Sequence, residues 1–294
     1  MLSATLGSID VAVHNQAILG EAPIWDQQTQ RLIWVDIIGK SIHFYDPATE
    51  EDRAVMVGPP VGSVAPRRSG GLVAATSEGI SLLTPNGSLD PLVRMAFDTR
   101  RSRMNDGKCD ALGRYWTGTM ALDHVTPDSS LYKVDPELRV TTMLTGVVVS
   151  NGLGWSPDNS KLYYNDTIAR YVEAFNFDLA DGTIWNRRHL IDFSEGPGVP
   201  DGMAVDAEGC LWIAAWGGWC IRRYQPDGAL DRIIELPVAK VTSCCFGSKD
   251  LSELYVTTSR HELAESDLAR QPLAGSLFRF EPGVHGLPTG HFAG

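Results

Sequence analysis

Four oxygen-bearing side chains each open a short stretch of similar sequence, and together they could hold a metal ion. They are Glu21, Asn105, Asn151 and Asp201. Carboxylate and carboxamide oxygens are the ligands that hard divalent ions such as calcium and magnesium prefer. A carboxylate beside such an ion can also accept a proton from an attacking water molecule, as a general base does. These residue types predict metal-assisted hydrolysis if the fold brings them together.

The four side chains occupy equivalent positions in an internal repeat. Residues 21–36 and 151–166 match in their order: an acidic or amide residue, a Trp four positions later, and a second apolar run that ends in Asp. Six copies can be recognised, two of them degenerate, and they start at positions 21, 62, 105, 151, 201 and 243. The intervals are close to the period of about 40–50 residues that is typical of propeller blades.

Each copy also contains the short β-type runs and turn residues of an all-β protein. Later strands that end in turns are predicted at residues 42–47, 80–87, 131–136 and 221–228. Helical periodicity is not sustained over a comparable length. A closed ring leaves only short protected strand edges, whereas an open solenoid of the same period needs polar capping repeats. We therefore expect a six-bladed β-propeller with four-stranded antiparallel blades around a central channel.

The chain shows no linker or change in composition that would mark a second domain. Residues 1–294 are expected to form one propeller domain. The segment 10–19 precedes the first repeat, and we expect it to complete the last blade beside residues 276–280.

The ring geometry predicts which side chains meet. The innermost strand of each blade borders the channel of a propeller, so equivalent positions surround the axis. Two carboxylates that converge there repel each other, and burying them without a partner is costly, so a cation between them is the simplest expectation. Glu21, Asn151 and Asp201 are the expected ligands. The alternative is that these side chains cap strand ends through Asx turns.

Composition argues against several other classes of function. The chain has a formal net charge of −11, and no basic run is longer than the pair Arg100 and Arg101, so nucleic acid is not an expected partner. The first twenty residues carry no export signal and no run of about eighteen apolar residues occurs, so we expect a cytoplasmic protein without a membrane partner. The five Cys residues lack C-x-x-C spacing and are expected to be buried and free. A monomer or weak homo-oligomer is expected.

Five short motifs occur in an order that is typical of one known family. They lie at residues 19–25, 103–108, 118–120, 150–153 and 200–203. On these motifs the chain resembles the regucalcin (senescence marker protein) and gluconolactonase family, including the sugar-acid lactonases of bacteria. The resemblance covers nearly the whole chain. It implies that Glu21, Asn151 and Asp201 bind one divalent metal ion and that Arg103 and Asn105 bind substrate. The family often has a Glu after the Gly-Thr-Met run, and Asp123 is the expected shorter substitute here.

These observations lead to a specific functional hypothesis. The protein is expected to hydrolyse a sugar-acid lactone, such as xylono-, arabinono-, glucono- or galactonolactone, with Asp201 as both metal ligand and general base. The ligand set leaves calcium, zinc, manganese, magnesium and ferrous iron open. The alternatives are another ester or organophosphate hydrolase on the same fold, and a non-enzymatic calcium-binding regulator.

Overall fold

The protein is built almost entirely from β-strands. A computed structural model describes residues 8–294. Residues 1–7 lie outside the described residues. Both the predicted domain and the N-terminal stretch in which no export signal was found include these seven residues. The strands are β1 (Asp10–Val13), β2 (Gly20–Asp26), β3 (Arg31–Asp36), β4 (Ser41–Asp46), β5 (Glu51–Met56), β6 (Val61–Pro66), β7 (Leu72–Thr76), β8 (Gly79–Leu83), β9 (Leu89–Arg94), β10 (Ser102–Cys109), β11 (Tyr115–Ala121), β12 (Ser129–Val134), β13 (Val140–Val147), β14 (Ser150–Trp155), β15 (Lys161–Asp166), β16 (Tyr171–Asp178), β17 (Thr183–Asp192), β18 (Val199–Val205), β19 (Leu211–Trp216), β20 (Cys220–Tyr224), β21 (Leu230–Glu235), β22 (Val241–Gly247), β23 (Glu253–Thr258) and β24 (Leu277–Phe280).

These strands form six four-stranded antiparallel sheets. Five sheets use consecutive strands, β2 to β5, β6 to β9, β10 to β13, β14 to β17 and β18 to β21. The sixth has the order β1-β24-β23-β22, with Asp10 opposite Arg279, so the first and last strands of the chain share one blade. Inner strands of neighbouring blades contact one another around the ring, from β2 through β6, β10, β14 and β18 to β22 and back to β2. The predicted six-bladed all-β propeller is confirmed.

Aromatic side chains from the repeats fill the spaces between blades. Trp25 of the first blade stacks on Tyr255 of the sixth with ring centroids 6.1 Å apart. Trp116 of the third blade packs edge-on against Trp155 of the fourth at 5.9 Å. Trp25 and Trp116 are at most 1% exposed. Since complete burial of a large apolar side chain contributes about 1.5–3 kcal/mol, the repeated Trp holds adjacent blades together.

A short helix, α1 (Glu265–Arg270), interrupts the last blade between β23 and β24. The sequence analysis did not predict it. It has no buried residues and no sustained apolar face, so its sequence shows no helical periodicity.

All five Cys residues are buried and free, as expected. Over residues 8–294, no helix is long and apolar enough to cross a membrane.

Candidate metal centre

The inner strands carry a local irregularity at each ring position. Their pairing with the second strand shifts register between Glu21 and Ile24, Val61 and Ser63, Met104 and Gly107, Ser150 and Leu153, Pro200 and Met203, and Val241 and Ser243. A β-bulge releases a residue from the ladder and changes the direction of its side chain. The inner strand carries an extra residue at this place in all six blades, which leaves Asn105, Asn151 and Asp201 without a partner in the ladder. Glu21 stays paired with Val35 at the edge of its bulge.

Glycines after the ring residues allow the inner strands to approach closely. A Cβ atom at Gly152 would lie 2.5 Å from the carbonyl oxygen of Asp201, and one at Gly202 would lie 2.0 Å from Ser243 Oγ. Neither distance is possible for a side chain without movement of the neighbouring strand. The Asn-Gly and Asp-Gly pairs thus reflect close packing around the axis.

Five of the six predicted site residues line one cavity at an end of the channel. The cavity has a volume of about 430 Å³, and its lining includes Glu21, Arg103, Asn105, Asn151 and Asp201. These residues come from four different blades and are separated by as much as 180 residues in sequence. The inner strands converge here, together with the loops that join the second and third strands of the blades.

Two oxygen atoms in this cluster fit a bound cation. Among the described residues, neither Asn151 Oδ1 nor Asp201 Oδ1 has a hydrogen-bond partner, although both are buried. Buried polar atoms are almost always paired, so two unpaired acceptors on one cavity require an explanation. Glu21 Oε2 accepts a hydrogen bond of 2.9 Å from its neighbour's amide, Ala22 N. The donor set of two carboxylates and one carboxamide fits a hard divalent ion.

The alternative interpretation requires the asparagine side chains to form Asx turns with their own strands. The side-chain amides of Asn151 and Asn105 do not do so. Asn151 Nδ2 donates to Thr167 Oγ1 at 3.0 Å, and Asn105 Nδ2 donates to the carbonyl oxygen of Ser150 at 2.8 Å. Both bonds reach into another structural element. Each amide is therefore held by its nitrogen, which orients its oxygen.

Burial and mutual repulsion make the carboxylates difficult to ionise without a cation. Burial, followed by the Asp106 charge, raises the pKa of Glu21 to about 8. Burial, with the charges of Glu21 and Asp106, raises the pKa of Asp201 well above its usual range. Burial also lowers the pKa of the Arg103 guanidinium to about 10. The cluster thus holds protons at neutral pH unless a positive charge replaces them.

Arg103 and Asn105 form a connected pair beside the carboxylates. Arg103 Nη1 donates to Asn105 Oδ1 at 2.7 Å and to the carbonyl oxygen of Met104 at 2.9 Å. Both side chains line the cavity. Since these bonds fix the guanidinium plane, the pair presents oriented donors to a molecule in the cavity.

The structure does not bring Asp123 to this cavity. Its carboxylate accepts hydrogen bonds from Val125 N and Thr126 N, both at 2.9 Å, and from Thr126 Oγ1. The Thr126 hydroxyl bond is the main reason that the pKa of Asp123 falls to about 2. Leu122, the preceding residue, lines the cavity instead.

Asp106 is a buried charge of the centre that the sequence analysis did not select. It is 3% exposed, its Oδ1 accepts from Gly107 N at 2.7 Å, and its charge raises the pKa of both Glu21 and Asp201. The repeat contained a sign of this residue. Asn105 is followed by an acidic residue, whereas the equivalent residues Asn151 and Asp201 are followed by glycine.

A second acidic group lies elsewhere in the fold. Asp206, Glu208 and Cys210 have potential ligand atoms within 4.8 Å of one another. Arg223 already pairs with both carboxylates, at 2.7 Å to Asp206 Oδ2 and 2.6 Å to Glu208 Oε2. Burial raises the pKa of the Cys210 thiol to about 11, so it is not a thiolate at neutral pH. The guanidinium supplies the positive charge here, and the group stabilises the fifth blade.

The fold and the cluster together define a six-bladed propeller with an acidic, oxygen-rich centre at one mouth of its channel. The chain belongs to the family described as the SMP-30/gluconolactonase/LRE-like region, which matches residues 19–260.

Individual relatives match nearly the whole chain. Rabbit (Oryctolagus cuniculus) regucalcin is 40% identical over 284 residues, which cover 94% of this chain and 95% of the rabbit protein. A solved luciferin-regenerating enzyme is 31% identical with a TM-score of 0.90, and the match covers 98% of this chain and 99% of that one. A regucalcin from Agrobacterium tumefaciens, described as a calcium-binding protein, is 26% identical with a TM-score of 0.90 over 98% of this chain and 96% of its own.

Proposed function

We propose that the protein hydrolyses an aldonolactone to the free sugar acid with the help of one divalent metal ion. The observation that carries this proposal is the meeting of Glu21, Arg103, Asn105, Asn151 and Asp201 on one cavity. The family, whose description includes gluconolactonase, supports the reaction class. The volume of about 430 Å³ accommodates a small ring-shaped substrate.

Glu21, Asn151 and Asp201 would hold the metal ion, since their oxygens include two unpaired buried acceptors, Asn151 Oδ1 and Asp201 Oδ1. A divalent ion bound there supplies Lewis acidity toward the ester carbonyl. Asp201 accepts the proton of the attacking water with the carboxylate oxygen that is not a ligand.

Arg103 and Asn105 position the substrate. The bond between Arg103 Nη1 and Asn105 Oδ1 holds both groups before substrate arrives. Oriented donors of this kind lower the entropic cost of bringing the lactone and water together. Their role is therefore binding and alignment rather than proton transfer.

The test is a pH-indicator assay with xylono-, arabinono-, glucono- and galactonolactone, with and without chelator and after subtraction of spontaneous hydrolysis. We expect hydrolysis of at least one lactone, loss of activity in chelator, and recovery on addition of calcium, zinc, manganese, magnesium or ferrous iron. Asp201→Ala should abolish turnover while circular dichroism still shows the native fold. An active Asp201→Ala protein, or full activity in excess chelator, would contradict the proposal.

A non-enzymatic calcium-binding role is the second candidate, favoured by the calcium-binding description of the Agrobacterium regucalcin. It predicts that the ion raises the melting temperature although no lactone is turned over. The same assay, run beside thermal denaturation, distinguishes the two candidates.

A further inference from the structure

Three branched apolar side chains line the mouth of the candidate cavity and remain partly open to solvent. Ile38 is 38% exposed, Leu122 is 49% exposed and Ile168 is 43% exposed. They belong to the first, third and fourth blades. A single exposed apolar residue is ordinary, but three from separate loops line this one cavity. We call Ile38, Leu122 and Ile168 the apolar rim.

The rim is held in place by the backbone. Ile38 and Ile168 lie at equivalent positions, two residues after Asp36 and Asp166. Asp36 Oδ1 accepts a bond of 2.8 Å from Gly39 N, and Asp166 Oδ1 accepts one of 3.1 Å from Ile168 N. These aspartates tie down their own turns, as Asx turns do. The rim side chains therefore project from fixed loops.

Leu122 is anchored in a different way. Its amide donates to the carbonyl oxygen of Arg101 at 2.7 Å, across the start of the loop after β11. The next residue, Asp123, turns its carboxylate into its own loop, toward Thr126. An apolar side chain therefore lines the cavity at the place where the sequence pattern led us to expect a carboxylate for substrate hydroxyls.

The cavity wall is apolar as well, since it is also lined by Leu19, Ile37, Met120, Val149 and Trp216.

Several polar side chains on the same cavity already have partners. Thr167 accepts from Asn151 Nδ2, and Glu262 lies 3.6 Å from Lys240 Nζ. Lys40 and His124 also line it and can serve hydroxyls or the carboxylate that forms on hydrolysis. The apolar surface is thus confined to the rim and the cavity wall.

We infer that the apolar rim is a specificity subsite for a non-polar substituent on the lactone, such as the methyl terminus of a deoxyaldonolactone. This inference rests on the proposed lactonase function and refines it. A methyl group at the rim exchanges water for contact with Ile38, Leu122 and Ile168. A hydroxyl group at the same place loses its water without gaining a partner. The enzyme should therefore discriminate between two lactones that differ only at this atom.

The experiment compares galactono-1,4-lactone with 6-deoxygalactono-1,4-lactone, which share every other group. We expect kcat/KM to be about tenfold higher for the deoxy compound, since a single methyl-sized group in an apolar pocket is worth about 10- to 200-fold. Leu122→Asn, which keeps the number of side-chain heavy atoms but adds polarity, should lower this ratio several-fold. The matched control is Leu230→Asn, because Leu230 is 51% exposed on the outer strand β21 and is remote from the cavity. The control should keep the wild-type ratio.

Binding separates failure of the subsite from failure of the proposed reaction. The cyclic ethers that correspond to the two lactones have no ester bond, and calorimetry measures their affinity in the presence of calcium. If neither lactone is hydrolysed but the deoxy ether binds about tenfold more tightly and Leu122→Asn removes the difference, the lactonase function fails and the subsite stands. Equal or reversed preference in both assays, or a ratio that Leu122→Asn and Leu230→Asn change alike, would overturn the inference.

Discussion

Replacing Asp201 with Asn should make the metal-free protein more stable than wild type, and this advantage should be smaller in the metal-loaded protein. The buried carboxylate of Asp201 has a pKa well above its usual range because of its burial and the nearby charges of Glu21 and Asp106. The native state therefore keeps a proton that the unfolded chain has released, and stability falls as the pH rises. Asn cannot ionise, so the variant escapes this loss.

The magnitude follows from linkage. One proton retained by the native state costs about 1.36 kcal/mol for each pH unit above the unfolded pKa, so the advantage of the variant should grow with pH, by at most about 2.7 kcal/mol between pH 5 and pH 7. With about 2.1 cal/mol/K of unfolding entropy for each residue, a 294-residue chain has about 0.6 kcal/mol/K. Between pH 5 and pH 7 the advantage of the variant in melting temperature should therefore grow by at most about 4–5 °C in chelator.

Metal should reduce this advantage. An ion at about a hundred times its dissociation constant stabilises the wild-type native state by about 2.7 kcal/mol, and the variant has lost a ligand. The assay is thermal denaturation at pH 5, 6 and 7, in chelator and in calcium, with the exposed Asp90→Asn in β9 as the matched control. A variant that is less stable than wild type in chelator at pH 7, or an advantage that does not grow with pH, would refute the electrostatic reasoning.

Three further predictions follow from the structure. Metal binding should release protons and weaken as the pH falls below about 8, because protonated Glu21 cannot serve as a ligand; calorimetry in two buffers of different ionisation heat measures the release. Gly202→Ala should destabilise the fold by about 1–3 kcal/mol, since the new Cβ would lie 2.0 Å from Ser243 Oγ, whereas Gly58→Ala, which meets nothing within 4 Å, should not. Arg223→Met should cost about 3–5 kcal/mol, or about 5–8 °C in melting temperature, by leaving the buried Asp206 carboxylate unpaired. The same change at exposed Arg139 should have little effect.

The sequence was sufficient to predict the ring because the repeat carries geometric information. Blades are equivalent by construction, so a residue type that recurs at one position of the repeat must recur around one axis. That is why Glu21, Asn151 and Asp201 could be grouped although no local motif joins them, and the cavity lining agrees with that grouping. Their roles as metal ligands stay a prediction. Asp106 was harder to select from the sequence. Its charge raises the pKa of Glu21 through space, and this effect depends on burial rather than on the position of Asp106 in the repeat.

The loops after the second strands follow a different rule. Inside β11 the side chains alternate, but Ala121 ends the strand, and beyond it the turn alone decides which residue faces the cavity. Thr126 captures the carboxylate of Asp123, and Leu122 lines the cavity. The candidate metal ligands thus lie at positions that are equivalent in every blade. The residues at the mouth of the cavity depend instead on the individual turn of each blade. Under the proposed function, a propeller of this kind would keep its metal centre while substitutions in these turns change the substrate it accepts.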